Sequence, residues 1–278
     1  MCRLLAYLGE PIFLATLVTS PSHSLVYQSL HAAETKPCAN EDGFGIGWYG
    51  DGIEPGLYRA AQPAWSDANL QSLCEQVCSR LFVAHVRAAT GTAINRANCH
   101  PFSVKRFMFI HNGQIGGWPS VRQKVEAMIP NEFYSARTGT TDSEAIFLAA
   151  LANGMEQDPV RAVTVTLERV KAAMYAKGVT APLRFAAVLT DGEGLWAFRW
   201  ACDGKPPSLY WREGAGGLIV ASEPIDGTRW QAVPDGACLV ARPGEPIRIE
   251  YLHLNATCAM QVHAPATAAG FLNVQSRP

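Results

Sequence analysis

Apolar residues come in short, dense runs along this chain, and their spacing changes character twice. Arg3 to Leu8, Gly43 to Tyr49, Leu81 to Val86 and Phe107 to His111 are apolar runs of strand length, which predicts buried β-strands. The last of these reaches Asn112-Gly113, a pair that favours a tight turn. Ser24 to Ala33 and Asp67 to Val77 read as helices. A block of further helices is expected at Ser120 to Met128, Asp142 to Asn153 and Pro159 to Lys177, with Thr141 or Asp142 suited to cap the middle one. The pattern then returns to strands at Arg184 to Thr190, Leu195 to Trp200, Ser208 to Trp211, Leu218 to Ser222, Ala237 to Arg242 and Ile247 to Tyr251.

Strands, then a run of helices, then more strands is the order of a layered α+β domain, with helices packed on antiparallel sheets. It is not the order of a doubly wound βαβ fold. No internal repeat occurs and no linker separates a second domain. The reading gives one domain over residues 1–255 and an Ala-rich, weakly patterned tail over 256–278.

Composition narrows the partners. The 278 residues are 48% hydrophobic and 17% charged, with a net charge of −1. Neither a basic stripe nor an acidic tail is present, so neither nucleic acid nor anionic lipid is an expected partner. No apolar run approaches the roughly 18 residues of a membrane span. The opening MCRLLAYLGEPIFLATL has a single Arg, an internal Glu-Pro and no small-residue cleavage site, so it reads as a mature N-terminus. Eight scattered cysteines fit reduced thiols in the cytoplasm better than a disulfide framework.

Candidate chemistry starts at Cys2. A cysteine behind the initiator Met permits removal of that Met, which leaves a free α-amine beside the thiol. With pKa values near ~8 and ~8.5, the amine can act as base for its own side chain. The bland alternative is a small buried hydrophobe. AHVRAATGT, Ala84 to Thr92, ends a strand on Arg87, which could grip a carboxylate, with Thr90 and Thr92 adding hydroxyls; a structural ion pair is the competing role. In FIHNGQI, the Asn112 amide and the Gly113 N–H could form an oxyanion hole, or simply a turn. Asp142, in Thr141-Asp142-Ser143-Glu144, could hold an ammonium. Cys99-His100-Pro101-Phe102 looks like a loop that orders the site, with His100 on the substrate side. Gly45 to Gly50 matches G-x-G-x-x-G, yet no helix follows, so the dinucleotide reading fails. Cys74 and Cys78 lack a second pair at zinc spacing, so no metal or other cofactor is expected.

Met-Cys, AHVRAAT, HPF, HNG and TDSE in this order resemble the glutaminase domain of class II glutamine amidotransferases, with ASEPI at Ala221 to Ile225 extending the match. The resemblance implies the four-layer αββα N-terminal-nucleophile hydrolase sandwich. It implies Cys2 as nucleophile, Arg87 and Thr90 on the glutamine α-carboxylate, Asn112 and Gly113 as oxyanion hole, and Asp142 on the α-ammonium. Three positions depart from aminosugar-synthase relatives: Ala88 replaces Trp and Gly91 replaces His, which implies a more open pocket, and Arg3 stands where those relatives have Gly. Asn40 to Gly45 is similar instead to the stand-alone subgroup that includes the γ-glutamyl hydrolase of ergothioneine biosynthesis. No segment after residue 260 is expected to form a synthase domain, and no phosphate-binding loop occurs. The expected activity is hydrolysis of a γ-glutamyl amide on a small molecule. The alternatives are a glutaminase subunit delivering ammonia to a separate synthase partner, a cysteine amidase for other amides, and a non-catalytic glutamine sensor.

Overall fold

A computed structural model describes residues 2–30, 41–89, 91, 93–214 and 216–254. In chain order the elements are β1 (Arg3–Phe13), α1 (Ala15–Val18), α2 (Leu25–Leu30), β2 (Phe44–Trp48), β3 (Gly56–Ala60), α3 (Ala68–Gln76), β4 (Cys78–Val86), β5 (Phe102–Val104) and β6 (Phe107–Ile115). The helical block follows as α4 (Trp118–Glu126), α5 (Asn131–Tyr134), α6 (Asp142–Leu151) and α7 (Pro159–Tyr175). The chain then runs through β7 (Leu183–Thr190), β8 (Leu195–Ala201), β9 (Tyr210–Gly214), β10 (Gly217–Ala221), β11 (Gln231–Ala232), β12 (Ala237–Ala241) and β13 (Arg248–Tyr251). Among the described residues the strands form two sheets, β11-β9-β10-β1-β4-β2-β3 and β13-β12-β8-β7-β6-β5. Every pairing is antiparallel.

The central strands are apolar on both faces because each face meets a different layer. Leu4, Ala6 and Leu8 of β1, with Leu81 and Val83 of β4, pack against Met108, Ile110, Ala186 and Val188 of the other sheet. The alternate positions Leu5, Tyr7, Phe82 and Ala84 face away, onto Leu17, Leu25 and Leu70 of α1, α2 and α3. On the second sheet Phe109, Phe185 and Phe198 turn outward to Val121 of α4, Phe147 of α6 and Leu167 of α7. Phe109 and Phe147 stack at 5.4 Å. Helices, sheet, sheet and helices therefore lie in four layers, the αββα sandwich. Helix starts are closed by side chains: Asp67 accepts from Leu70 N–H at 2.9 Å and Thr141 from Glu144 N–H at 3.2 Å.

Several boundaries differ from the sequence expectation. β6 does not end in a turn at Asn112-Gly113 but runs through both to Ile115, because β7 pairs with it over that whole length. The turn comes later, at Gly116 and Gly117, where Gly117 takes φ 65° and α4 starts at Trp118. β1 continues past Leu8 to Phe13 through a register shift, which absorbs Gly9-Glu10-Pro11. The short elements α1, α5, β3, β5 and β11 carry too few residues for a periodic signal. The expected helix at Ser24 to Ala33 is observed over Leu25–Leu30; residues 31–33, Asn40 and the tail beyond 254 lie outside the described residues.

The first strand is also held at its start. Arg3, 1% exposed, forms an ion pair with Glu223, 2% exposed. Beside it, Leu4 N–H donates to Ser222 Oγ at 2.8 Å and Ser222 N–H to Leu4 O at 3.0 Å. The ASEPI segment thus clamps residues 3 and 4. Glu223→Gln leaves a buried guanidinium uncompensated, and it should lower unfolding free energy by about 3–5 kcal/mol in denaturant titration. Arg3→Met/Glu223→Met should recover most of that loss, since no buried charge remains. Equal losses in the two variants would mean that shape rather than charge holds the clamp.

Candidate active site

At one end of the inter-sheet seam the apolar rows turn polar. The row Leu8, Ala6, Leu4 leads to Cys2, the row Leu81, Val83 to His85 and Arg87, and the row Met108, Ile110 to Asn112. Because Leu4 pairs with His85 and Arg3 with Val86, Cys2 and Arg87 come out side by side.

The second feature is an open strand edge. β5 pairs only with Phe107 to Phe109 of β6, whereas β7 pairs through Ile115 on the other side. Among the described residues, one edge of β6 therefore has no strand beside it from Ile110 onward. Gly116 N–H donates to Pro182 O at 3.0 Å on the β7 side. Strand alternation then turns the N–H groups of Gly113 and Ile115 to the open edge. Ile115 N–H donates there to Asp142 Oδ2 at 2.7 Å. A cavity of about 250 Å³ lies along this edge, walled by Cys2, Arg87, His100, Gly113, Asp142 and Trp118 among others. Five of the eight residues marked from the sequence thus meet in one place. Asn112 is buried and not part of the cavity wall. Thr90 lies outside the described residues, as does Thr92.

Cys2, Arg87 and Asp142 are held by backbone groups. Cys2 Sγ accepts from Ala88 N–H at 3.4 Å and lies 3.5 Å from Ala88 O. Burial pushes the thiol's pKa up, and the Ala88 N–H and the charges of the chain's amino terminus and Arg87 offset only part of this. The resting group is therefore a thiol that needs a base. Arg87 is anchored to two backbone carbonyls. It donates to Asp42 O at 3.1 Å and Ala93 O at 3.2 Å, tying together the loops on either side of it. Asp42 returns the favour through Oδ2, which accepts Ala89 N–H at 2.7 Å. Asp142 Oδ1 accepts Ser143 N–H at 2.8 Å, so both carboxylate oxygens are fixed by one backbone donor each. Glu144, buried in the same first turn of α6, accepts from Arg137 at 2.7 Å and from the N–H groups of Thr138 and Gly139, fixing the approach to α6. The glycine at 113 is obligatory by space: a methyl there would stand 2.5 Å from His111 Nε2.

Sequence reasoning gave no role to His85, His111, Ser143 or Trp118. His85 Nε2 lies 3.2 Å from His111 O, and His111 Nδ1 lies 2.8 Å from Ser143 Oγ. The His85 and His100 rings lie against each other with centroids 4.1 Å apart and planes tilted by 38°. The available signal was a polar residue at an inward position of an apolar strand, in AHVR and FIHN. The Gly45 and Gly47 pair also gains its reason, since side chains there would collide with the His100 carbonyl and with Met108.

Burial keeps all three imidazoles neutral: His85 is pushed down to about 3, His100 well below its ordinary value, and His111 below it. An unfolded chain protonates these rings from about pH 6.5 downward, whereas the folded chain does not. Their contribution is thus complete above pH 6.5 and is lost as pH falls toward the folded values. Urea unfolding at pH 7 and pH 5.5 should differ by about 1 kcal/mol per ring, and His85→Gln should remove one ring's share. Equal stability at the two pH values would mean that the rings charge within the fold.

The model of the class II glutamine amidotransferases matches residues 1–203. The chain is 30% identical over 238 residues to the γ-glutamyl-hercynylcysteine sulfoxide hydrolase of Mycobacterium tuberculosis, covering 84% of this chain and 90% of that protein. It is 38% identical over 156 residues to the probable glutamine amidotransferase DUG3 of Saccharomyces cerevisiae, covering 53% of this chain but only 44% of that protein. Among solved structures, a glutamine aminotransferase class-II domain protein from Silicibacter pomeroyi superposes with a TM-score of 0.73 at 34% identity, covering 90% of this chain and 99% of that one. The glutamine phosphoribosylpyrophosphate amidotransferase of B. subtilis shares the fold at a TM-score of 0.60, 16% identity, 92% of this chain and 50% of that one. This chain belongs to the class II glutamine amidotransferases.

Proposed function

We propose that this protein hydrolyses a γ-glutamyl amide on a small molecule through a thioester on Cys2, as one domain over residues 1–255. The observation that carries the reading is one cavity shared by a half-buried thiol, an open strand edge of N–H groups, a guanidinium and a carboxylate. In this reading Met1 is removed and the freed α-amine takes the Cys2 proton, which a thiol made less acidic by burial requires. The sulfur attacks the γ-carbonyl carbon at the open edge, where the Gly113 N–H and the Asn112 amide stabilise the oxyanion. The protonated α-amine then gives its proton to the leaving nitrogen, and water cleaves the thioester. Arg87 and Asp142 hold the α-carboxylate and α-ammonium, with Thr90 beside the former. Each carboxylate oxygen of Asp142 has lone pairs beyond the one its backbone donor uses. Six described cysteines are free thiols, which supports a reducing, cytoplasmic compartment.

The relative from M. tuberculosis is named for a γ-glutamyl conjugate, whose leaving group is far larger than ammonia. Small residues at Ala88 and Ala89 on the cavity wall support the same substrate class here.

Cys2→Ala should abolish hydrolysis of γ-glutamyl amides while leaving the unfolding transition in place; activity equal to wild type would overturn the mechanism. On one preparation, a bulky γ-glutamyl conjugate should show about tenfold higher kcat/KM than free glutamine, the effect of ~1.4 kcal/mol of extra transition-state binding. A preference for glutamine, or activity that needs an added synthase, would instead favour a glutaminase subunit that passes ammonia to a partner.

A further inference from the structure

Resting on the thioester reading above, we infer that Arg3 positions the Cys2 α-amine to take the proton of its own thiol. Arg3 Nη1 donates to Cys2 O at 3.2 Å, while Nη2 of the same guanidinium pairs with Glu223. Both side chains are 2% exposed, and a planar guanidinium held through one nitrogen has the direction of the other set. The carbonyl that Arg3 takes is one the sheet leaves over. β1 pairs with β10 as far as Leu5 and Ala221, and Ser222 N–H then donates to Leu4 O. Continued by two residues, this register sets Pro224 opposite Cys2, and a proline has no N–H to donate. The Arg3 side chain stands in for the missing ladder donor.

Two anchors therefore bracket residue 2. Sγ accepts from Ala88 N–H at 3.4 Å and O accepts from Arg3. Between these two atoms only the torsions about Cα–Cβ and Cα–C are free to turn. With both ends of so short a path held, Cα is held too, and so is the direction of the nitrogen bonded to it. A processed Cys2 needs this, because no preceding peptide holds its amine. In acylation the amine takes the Sγ proton and the sulfur bonds to the γ-carbonyl carbon. The ammonium then returns the proton to the leaving nitrogen as the C–N bond breaks. Arg3 touches neither substrate nor travelling proton, so it is a positioning residue. Arg87 from the end of β4, Asp142 from α6 and Cys99 from the loop before β5 also interact with the charge of residue 2. Behind Arg3, His23 Nε2 lies 3.5 Å from the second carboxylate oxygen of Glu223.

The test separates positioning from the clamp on the fold. Wild type, Arg3→Met/Glu223→Met, Arg3→Lys and Ser222→Ala are prepared with Met1 removal confirmed by intact mass. Each is followed by urea unfolding, by single-turnover release of aniline from a chromogenic γ-glutamyl anilide, and by the pH dependence of Cys2 alkylation with iodoacetamide. The double variant should keep most of the stability, and half-saturation by the anilide should stay within about threefold because Arg87 and Asp142 are untouched. Its acylation rate should nevertheless fall about 10- to 100-fold, the cost of misplacing a reacting group by about an ångström. The alkylation midpoint should rise by about one pH unit, because a thiol made less acidic by burial then ionises without help from the amine. Arg3→Lys keeps the ion pair but loses the planar fork, so both changes should appear to a smaller extent. Ser222→Ala loosens Leu4 but spares the Cys2 carbonyl bond, so it should lose stability while acylation rate and midpoint stay at wild-type values. Acylation that tracks stability across the four proteins, or wild-type rate and midpoint in either Arg3 variant, overturns the role of Arg3 and leaves the Cys2 thioester intact. A wild-type enzyme that turns over without any adduct on Cys2 overturns both.

Discussion

The first strand is buried on both faces, and that constraint determines where residue 2 can be. Leu4, Ala6 and Leu8 are locked into the inter-sheet core while Leu5 and Tyr7 are locked under the first helical layer. A strand whose faces both have fixed partners cannot slip by one residue without exposing an entire apolar row. The Arg3–Glu223 pair and the Ser222 bonds to Leu4 then fix the start of the strand along its length. Cys2 therefore emerges at one point, beside Arg87 and opposite the end of β6.

The site itself is made from what the sheets leave unfinished. β5 is short, so β6 keeps an open edge that presents the N–H groups of Gly113 and Ile115. The cap of α6 brings Asp142 to that edge, where it accepts one of them. Around it the polar groups are buried and mostly tied to backbone, which lowers the reorganisation needed when charge develops in a reaction. Burial also makes the thiol a weaker acid. A thiol in that state needs a base at close range, and no imidazole beside it is basic enough, since all three are held below their ordinary values. In the proposed mechanism the amine of the same residue fills that role.

Layering was legible in the sequence because strands with two buried faces and helices with one leave different periodicities. Leu81 to Val86 and Pro159 to Lys177 were unambiguous for that reason. Asn112-Gly113 was misread as a turn because local turn chemistry is strong, whereas the pairing with β7 that overrides it is non-local. Cys2, Arg87, His100, Gly113 and Asp142 were legible through the order of their motifs. His85 and Ser143 were not, since a polar residue inside an apolar run has no local signal to separate a buried partner from a solvent-facing position. Arg3 was noticed as a departure, but its reason depends on Glu223, which lies 220 residues away.

The central claim is that Cys2 works only as an N-terminal residue. Protein should be prepared in two forms, one with Met1 retained and one with Met1 removed, each verified by intact mass, and assayed for hydrolysis of one γ-glutamyl amide. The account predicts activity in the processed form alone, and in mixtures a rate proportional to the processed fraction. Equal activity in the form that keeps Met1 would contradict it.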